Sequence, residues 1–282
     1  MFTQLMEKLG ERTKAANPPR DGDYIGEDGL LYCGNCHTPK QWNCGNFGIL
    51  FCACKCESEK YAAERAAEKK AAEEFGQSIE SARKRQKCFD DDFYKHMSFE
   101  NDRNASPKAV QAARYYVDNF ERFKSENKGL MFLGNCGTGK TFAACCIANA
   151  LTDKQYNVWV ITANELIRKV GNFNTSEAAL SRIGYDDLLV IDDFGTQSNS
   201  EYNTQTLFDI IDKRYKSAKP LVITSNLDPG EFSKDRNDIQ QKRIFDRIIE
   251  MCMCPISPVV LSGESLRGKI AREKHFQDYE EG

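Results

Sequence analysis

The stretch Gly134-Asn-Cys-Gly-Thr-Gly-Lys140-Thr141 decides the fold of this chain, because it satisfies every fixed position of the pattern G-x-x-x-x-G-K-[ST]. A short apolar run, GLMFL at 129–133, leads into it, and a helical run, TFAACCIANAL at 141–151, leads out. The chemistry needs this order. Glycines let backbone N–H groups converge on phosphate oxygens without Cβ clashes. The following helix turns its positive end toward the same anion. Gly134, Asn135, Cys136, Gly137, Thr138 and Gly139 then form a phosphate cradle, Lys140 reaches the β- and γ-phosphates, and the Thr141 hydroxyl is placed to ligate Mg²⁺. A chance glycine turn would not be expected to carry both flanks as well as the fixed positions.

Working outward, four more apolar runs resemble buried strands: 158–161 (VWVI), 188–191 (LLVI), 221–224 (LVIT) and 258–261 (PVVL). Helical segments are expected near 140–152, 163–171, 203–217 and 238–251. Strand–helix alternation of this kind predicts an α/β fold whose parallel sheet has helices on both faces. The run at 188–191 ends in Asp192-Asp193. The first acid is expected to hold Mg²⁺, directly or through water, and the second to polarise an attacking water. Asn226, past the end of 221–224, is expected between these two motifs, where it can orient that water or read the γ-phosphate.

This set, in this order, resembles the AAA+ ATPases, and more narrowly the DnaC/DnaI-type replicative helicase loaders and their IstB-like transposition relatives. The residues that carry the resemblance are GLMFLGNCGTGKT, DDLLVIDDFGTQ, KPLVITSNL, RIFDRIIEMC and SGESLR, with MSFEND at 97–102 as the entry to the ATPase domain. It covers about residues 88–270. The resemblance implies that Arg247 is an arginine finger acting on a neighbouring subunit's γ-phosphate, with Arg243 one helical turn earlier as its rival, and that Arg267 senses nucleotide in cis. A local ion pair with Asp246 or Glu250 is the alternative for Arg247. Three positions depart from the family: Cys136 stands where Pro is more frequent, Asp193 where many members have Glu, and Leu266 where an aromatic residue is usual. Asp193 is one methylene shorter than Glu, which favours slow water activation and a switch over a motor. The short stretch after Arg267 leads to the expectation that a full C-terminal lid is lacking, as in the loader subgroup.

Upstream, twelve cysteines are spread unevenly, with six between Cys33 and Cys56. Cys33-Gly-Asn-Cys36 is a C-x₂-C knuckle, and Cys52-Ala-Cys54-Lys-Cys56 follows after fifteen residues. Two such groups can place four thiolates around Zn²⁺. Five cysteines compete for four places; Cys52 and Cys54 are preferred as the second pair, with Cys56 the rival and Cys44 and His37 in reserve. A redox C-x-x-C lacks thioredoxin-like surroundings here. Cys145, Cys146, Cys252 and Cys254 read as small core residues. Zinc modules of this kind occur in phage-type members of the family that the chain resembles.

The 282 residues therefore divide into a zinc module (1–56, poor in helical periodicity), a charged helical linker (57–88) and the ATPase domain (89–282). The linker pairs charges at helical spacing, as in Lys60/Glu64 and Glu80/Lys84, with a break expected at Gly76. A net charge of −3 excludes a uniformly basic nucleic-acid coat. A local basic groove near Arg236, Lys242 and Arg243 remains open for single-stranded DNA. The N-terminal segment lacks the apolar stretch of an export signal and nothing approaches a membrane span, so no membrane partner and a reducing cytoplasm are expected. The resemblance implies an ATP-dependent replication accessory protein that binds a hexameric replicative helicase, helps load it on single-stranded DNA and self-associates through its arginine finger. Two alternatives stay open: an IstB-like transposition helper, and a nucleotide-gated zinc or nucleic-acid-binding scaffold with little turnover.

Overall fold

The structure is a computed structural model that describes residues 2–45, 48–104, 106–198, 200–234, 236, 238–263 and 265. The chain forms two units, Met1–Gly76 and Gln77–Gly282.

The first unit begins with a helix, α1 (Phe2–Ala16), which corrects the reading of 1–56 as poor in helix. Its signal is a face of modest residues: Met6, Gly10, Thr13 and Asn17 recur every three or four positions and are half-buried, whereas Leu5 and Leu9 point outward. Pro18 and Pro19 follow its end. Two antiparallel hairpins come next, β1 (Tyr24–Ile25) with β2 (Leu31–Tyr32), and β3 (Gln41–Asn43) with β4 (Ile49–Phe51). Thr13 docks α1 on β4, its hydroxyl accepting from the Phe51 N–H at 3.2 Å. The long helix α2 (Lys55–Cys88) runs unbroken through Gly76. One glycine costs about 1 kcal/mol in a helix, and the strong helix formers and pairs such as Lys69–Glu73 and Lys70–Glu74 around it outweigh that.

The second unit opens with 3-10 turns at Asp92–His96 and Phe99–Asn104, then α3 (Pro107–Asp118) and α4 (Phe120–Ser125). Strands and helices then alternate: β5 (Leu130–Gly134), α5 (Lys140–Asp153), β6 (Val158–Thr162), α6 (Ala163–Gly171), α7 (Ser176–Tyr185), β7 (Leu188–Phe194), α8 (Glu201–Lys216), β8 (Leu221–Ser225), α9 (Pro229–Phe232), α10 (Ile239–Cys252) and β9 (Val259–Leu261). All five expected strands are present, in the parallel order β6-β7-β8-β5-β9. Alternate residues of each strand face opposite sides. Leu130, Phe132, Val158, Val160, Leu188, Val190 and Val222 pack with α3 and α5, while Met131, Leu133, Trp159, Ile161, Leu189, Ile191 and Ile223 pack with α6, α7, α8 and α10. The sheet is therefore apolar on both faces, as a doubly covered parallel sheet must be. Cys145, Cys146, Cys252 and Cys254 are buried in these layers. Strand β8 lies between β5 and β7, so the ends of all three face one rim. Among the described residues, no helix is long and apolar enough to cross a membrane.

Candidate functional site

At that rim the chain leaves β5 through a loop with three glycines at positive φ: Gly134 (133°), Gly137 (78°) and Gly139 (89°). L-residues with a Cβ rarely adopt such backbone. Lys140, in the first turn of α5, is buried, and its ammonium donates to the carbonyls of Gly134 (2.8 Å) and Asn135 (2.7 Å). Thr138 ties the loop to itself, donating to the Asn135 carbonyl at 2.9 Å. Cys136 is exposed. The cradle thus consists of backbone N–H groups, a helix N-terminus and a cation, and these groups fit a nucleoside triphosphate.

The carboxylates of β7 diverge. Asp192 is buried and accepts from the Thr141 hydroxyl at 2.9 Å. Asp193 is exposed. The divergence comes from a register shift between Ile191 and Phe194, with Asp193 at φ 53°, so the strand continues past the acids rather than ending at them. This bulge lets Asp192 and Phe194 both point inward while Asp193 turns out. Burial pushes the Asp192 carboxyl above its ordinary pKa, against the opposing hydrogen bond from Thr224. The Thr141 hydroxyl and Asp192 carboxylate are adjacent hard oxygen donors, which is the chemistry that Mg²⁺ takes.

The residue that joins these parts is Thr224, which the sequence reading left without a role. It is fully buried on β8, donates to Asp192 and accepts from the Asp193 N–H at 3.0 Å. No local pattern marks it; the strand order β7-β8 puts it there. Asn226 is exposed immediately beyond β8.

Arg247 lies on α10 at a distance from the loop in sequence and in partners. Its guanidinium pairs with Asp212 of α8 at 2.7 Å and lies over the rings of Phe208 (4.9 Å) and Tyr215 (5.4 Å). Asp212 takes the place of the local partners Asp246 and Glu250. Arg247 Nη1 is buried with no hydrogen-bond partner among the described residues. Arg243, its rival, is exposed. Arg267 lies outside the described residues.

In the first unit, the sulfur atoms of Cys33, Cys36, Cys54 and Cys56 all lie within 4.8 Å of one another. Cys33 and Cys56 are 3.7 Å apart, and Cys54 and Cys56 3.3 Å apart. Four thiolates around Zn²⁺ sit about 3.8 Å apart when Zn–S is about 2.3 Å, so the set fits that ion. The preferred pair Cys52–Cys54 is not the one assembled. Cys52 follows β4 and its Sγ faces the Pro39 carbonyl at 3.7 Å, whereas the first turn of α2 brings Cys56 back beside Cys54. Cys44 and His37 also stand outside the group. The Thr38 hydroxyl, 3.0 Å away, draws Cys36 down to about 5, helped by the Cys56 N–H. The N–H groups of Cys36 and Asn35 lower Cys33, while burial pushes Cys54 up. Beside the thiols lies a buried ion cluster, in which Lys40 pairs with Asp23 (2.9 Å) and Glu57 (3.6 Å), and the exposed Arg20 covers Glu57 from outside (2.9 Å). Glu57 also accepts from the Cys54 N–H at 3.2 Å, joining the cluster to the thiols.

Comparison with known proteins adds to this geometry. A family model described as "IstB-like ATP binding protein" matches residues 64–274. The replicative helicase loader DnaI of Bacillus subtilis (strain 168) is 26% identical over 154 residues, 50% of this chain and 48% of that protein. The replicative helicase loader DnaC of Escherichia coli (strain K12) is 31% identical over 163 residues, 55% of this chain and 64% of that protein. The chain thus spans about half the length of the first relative and under two thirds of the second. Among solved structures, a crystal structure of DnaI has a TM-score of 0.47 at 26% identity, covering 57% of this chain and 83% of that one.

Proposed function

Since the chain belongs to the family of IstB-like ATP binding proteins, we propose that it is an ATP-hydrolysing replication accessory protein that binds a hexameric replicative helicase and helps place it on single-stranded DNA. The observation that carries the ATPase part is the continuous hydrogen-bond chain from Thr141 through the Asp192 carboxylate and the Thr224 hydroxyl to the Asp193 N–H, which ties the phosphate loop to the backbone of the residue whose carboxylate turns outward. The helicase part rests on the relatives named replicative helicase loaders.

On this reading Lys140 exchanges its two carbonyl partners for β- and γ-phosphate oxygens. Thr141 and Asp192 hold Mg²⁺, which supplies charge neutralisation on those oxygens when bound. Asp193, turned out by its bulge, accepts a proton from the attacking water, and Asn226 orients that water. Arg247 of a neighbouring copy, with Arg243 as its rival, stabilises the transferring phosphoryl group, and Arg267 senses nucleotide in cis. Cys33, Cys36, Cys54 and Cys56 hold Zn²⁺, and the module they build, with the following helix, binds the helicase. The protein acts in a reducing cytoplasm, where all twelve cysteines remain thiols or ligands.

A pull-down with a replicative helicase hexamer, with and without ATP, tests the partner, and ATP turnover with helicase and single-stranded DNA present tests the enzyme. Capture of the helicase with turnover is expected. No turnover under those conditions defeats the enzyme reading and leaves a nucleotide-gated scaffold. The family description favours one second reading, a transposition helper, which capture of a transposase in place of the helicase would support.

A further inference from the structure

The segment SGESLR carries part of the family resemblance, yet the functions assigned above use only its last residue. The structure gives another member of it a definite place. Strand β9 pairs with β5 so that Leu261 stands opposite Gly134, the first residue of the phosphate loop. A Cβ on Gly134 would meet the Leu261 carbonyl at 1.9 Å. Gly263, at φ 137°, then redirects the chain. Four residues beyond Leu261, Ser265 reaches the loop again: a Cβ on Gly137 would meet Ser265 Oγ at 2.1 Å and Ser265 Cβ at 2.9 Å. The segment therefore touches the loop at two of its three positive-φ glycines, and at both the approach is closer than any side chain permits. It is anchored from behind, since Val259 and Leu261 are buried and Lys108 donates to the Val260 carbonyl at 3.0 Å.

We infer that Ser265 is a positioning residue for the nucleoside triphosphate: it braces the phosphate loop at Gly137, so that the segment after β9 and the bound nucleotide are coupled. The inference rests on the reading of the loop as an ATP site. A phosphate cradle works only when its N–H groups converge, and Gly137, at positive φ between Cys136 and Thr138, sets the direction of that part of the loop. A small side chain pressed on its Cα restricts that conformation before the ligand arrives. Coupling of this kind is reciprocal, so nucleotide that fixes the loop also fixes Ser265.

Nucleotide affinity, measured by titration of a fluorescent ATP analogue against the full chain, tests this, with the melting temperature of the nucleotide-free protein as the control for folding. Ser265→Ala keeps the volume small and removes the hydroxyl; it is expected to weaken binding about fivefold while leaving the melting temperature unchanged. Gly137→Ala is expected to weaken binding further, by collision with Ser265 and by its positive φ. Adding Ser265→Gly to Gly137→Ala removes the collision and is expected to recover about tenfold of the lost affinity, which a loop strained only by its own backbone would not do. Wild-type affinity in Ser265→Ala, or a double variant no better than Gly137→Ala, would overturn the inference while leaving the ATP site standing. A wild-type chain that binds no ATP would overturn both.

Discussion

The two units place chemistry in opposite relations to stability. In the second unit the interior is hydrocarbon on both faces of a sheet, and the polar groups of the candidate site sit at its rim, on residues that the core positions without depending on them. In the N-terminal unit the described buried residues are Leu31, Cys33, Lys40, Cys54 and Glu57, so the interior is itself made of thiols and an ion cluster. With so few buried apolar side chains, burial alone supplies little folding energy. Buried ion pairs such as Lys40–Asp23 are weak support, because desolvation cancels most of their attraction. One region can therefore lose its chemistry and keep its fold, while the other should lose both together.

Metal removal is the strongest way to break that contrast. Structural zinc supplies on the order of 10 kcal/mol or more of apparent folding energy. The protein should hold about one zinc per chain, and chelation or Cys33→Ser should unfold the N-terminal unit while the second unit keeps its own transition. Calorimetry with metal analysis reads both. An N-terminal unit that stays folded without metal would show that the thiol cluster is ordinary packing. Cys52→Ser, outside the cluster, should leave zinc content unchanged.

The next largest effect lies in the other unit. Arg247→Ala should slow hydrolysis by roughly 10³–10⁵ in the assembled protein, the range for an arginine finger, with ATP affinity intact. Stability should move by about 1–2 kcal/mol, from a partly exposed ion pair whose Asp212 retains Lys216 at 2.7 Å and from the lost contacts with the Phe208 and Tyr215 rings. Loss of ATP binding instead would mean that the arginine acts in cis. Thr224→Val comes third and probes the boundary between rim and core. Valine keeps the packing but leaves the buried Asp192 carboxylate without one donor, a loss of about 1–3 kcal/mol. Thermal unfolding and turnover should both fall, turnover by about tenfold. A change in turnover alone would put Thr224 entirely on the chemical side.

Legibility in the sequence follows the same division. The phosphate loop, Asp192 and the five strands were readable because each is specified by neighbours in sequence: glycine spacing, an apolar run and the acid after it. Thr224 was not readable, since its meaning comes from a residue on the next strand. The outward turn of Asp193 depends on a bulge that no propensity marks. The choice of Cys56 over Cys52 turns on where α2 begins, and helix ends are the least determined feature of a sequence. Helix α1 escaped because its half-buried face carries Gly10, Thr13 and Asn17 beside Met6 rather than a run of large apolar residues. Arg247 was placed on its helix correctly, but its partner Asp212 sits 35 positions away.

The smallest effect concerns the stretch that belongs to neither interior. Gly76 sits in mid-helix at the last position of the first unit, exposed, and a Cβ there would touch nothing within 4 Å. Gly76→Ala should therefore raise helix stability by about 0.5–1 kcal/mol through the unfolded chain alone. If α2 only joins two independent folding units, circular dichroism should retain more helical signal on heating while the two unfolding transitions stay where they were. If both transitions rise together, α2 transmits stability from one unit to the other, and the contrast between a metal-built and a hydrocarbon-built interior would describe two halves of a single cooperative molecule. The first outcome is expected, because the ion pairs of α2 that precede Gly76, Lys60–Glu64, Lys69–Glu73 and Lys70–Glu74, are exposed and local.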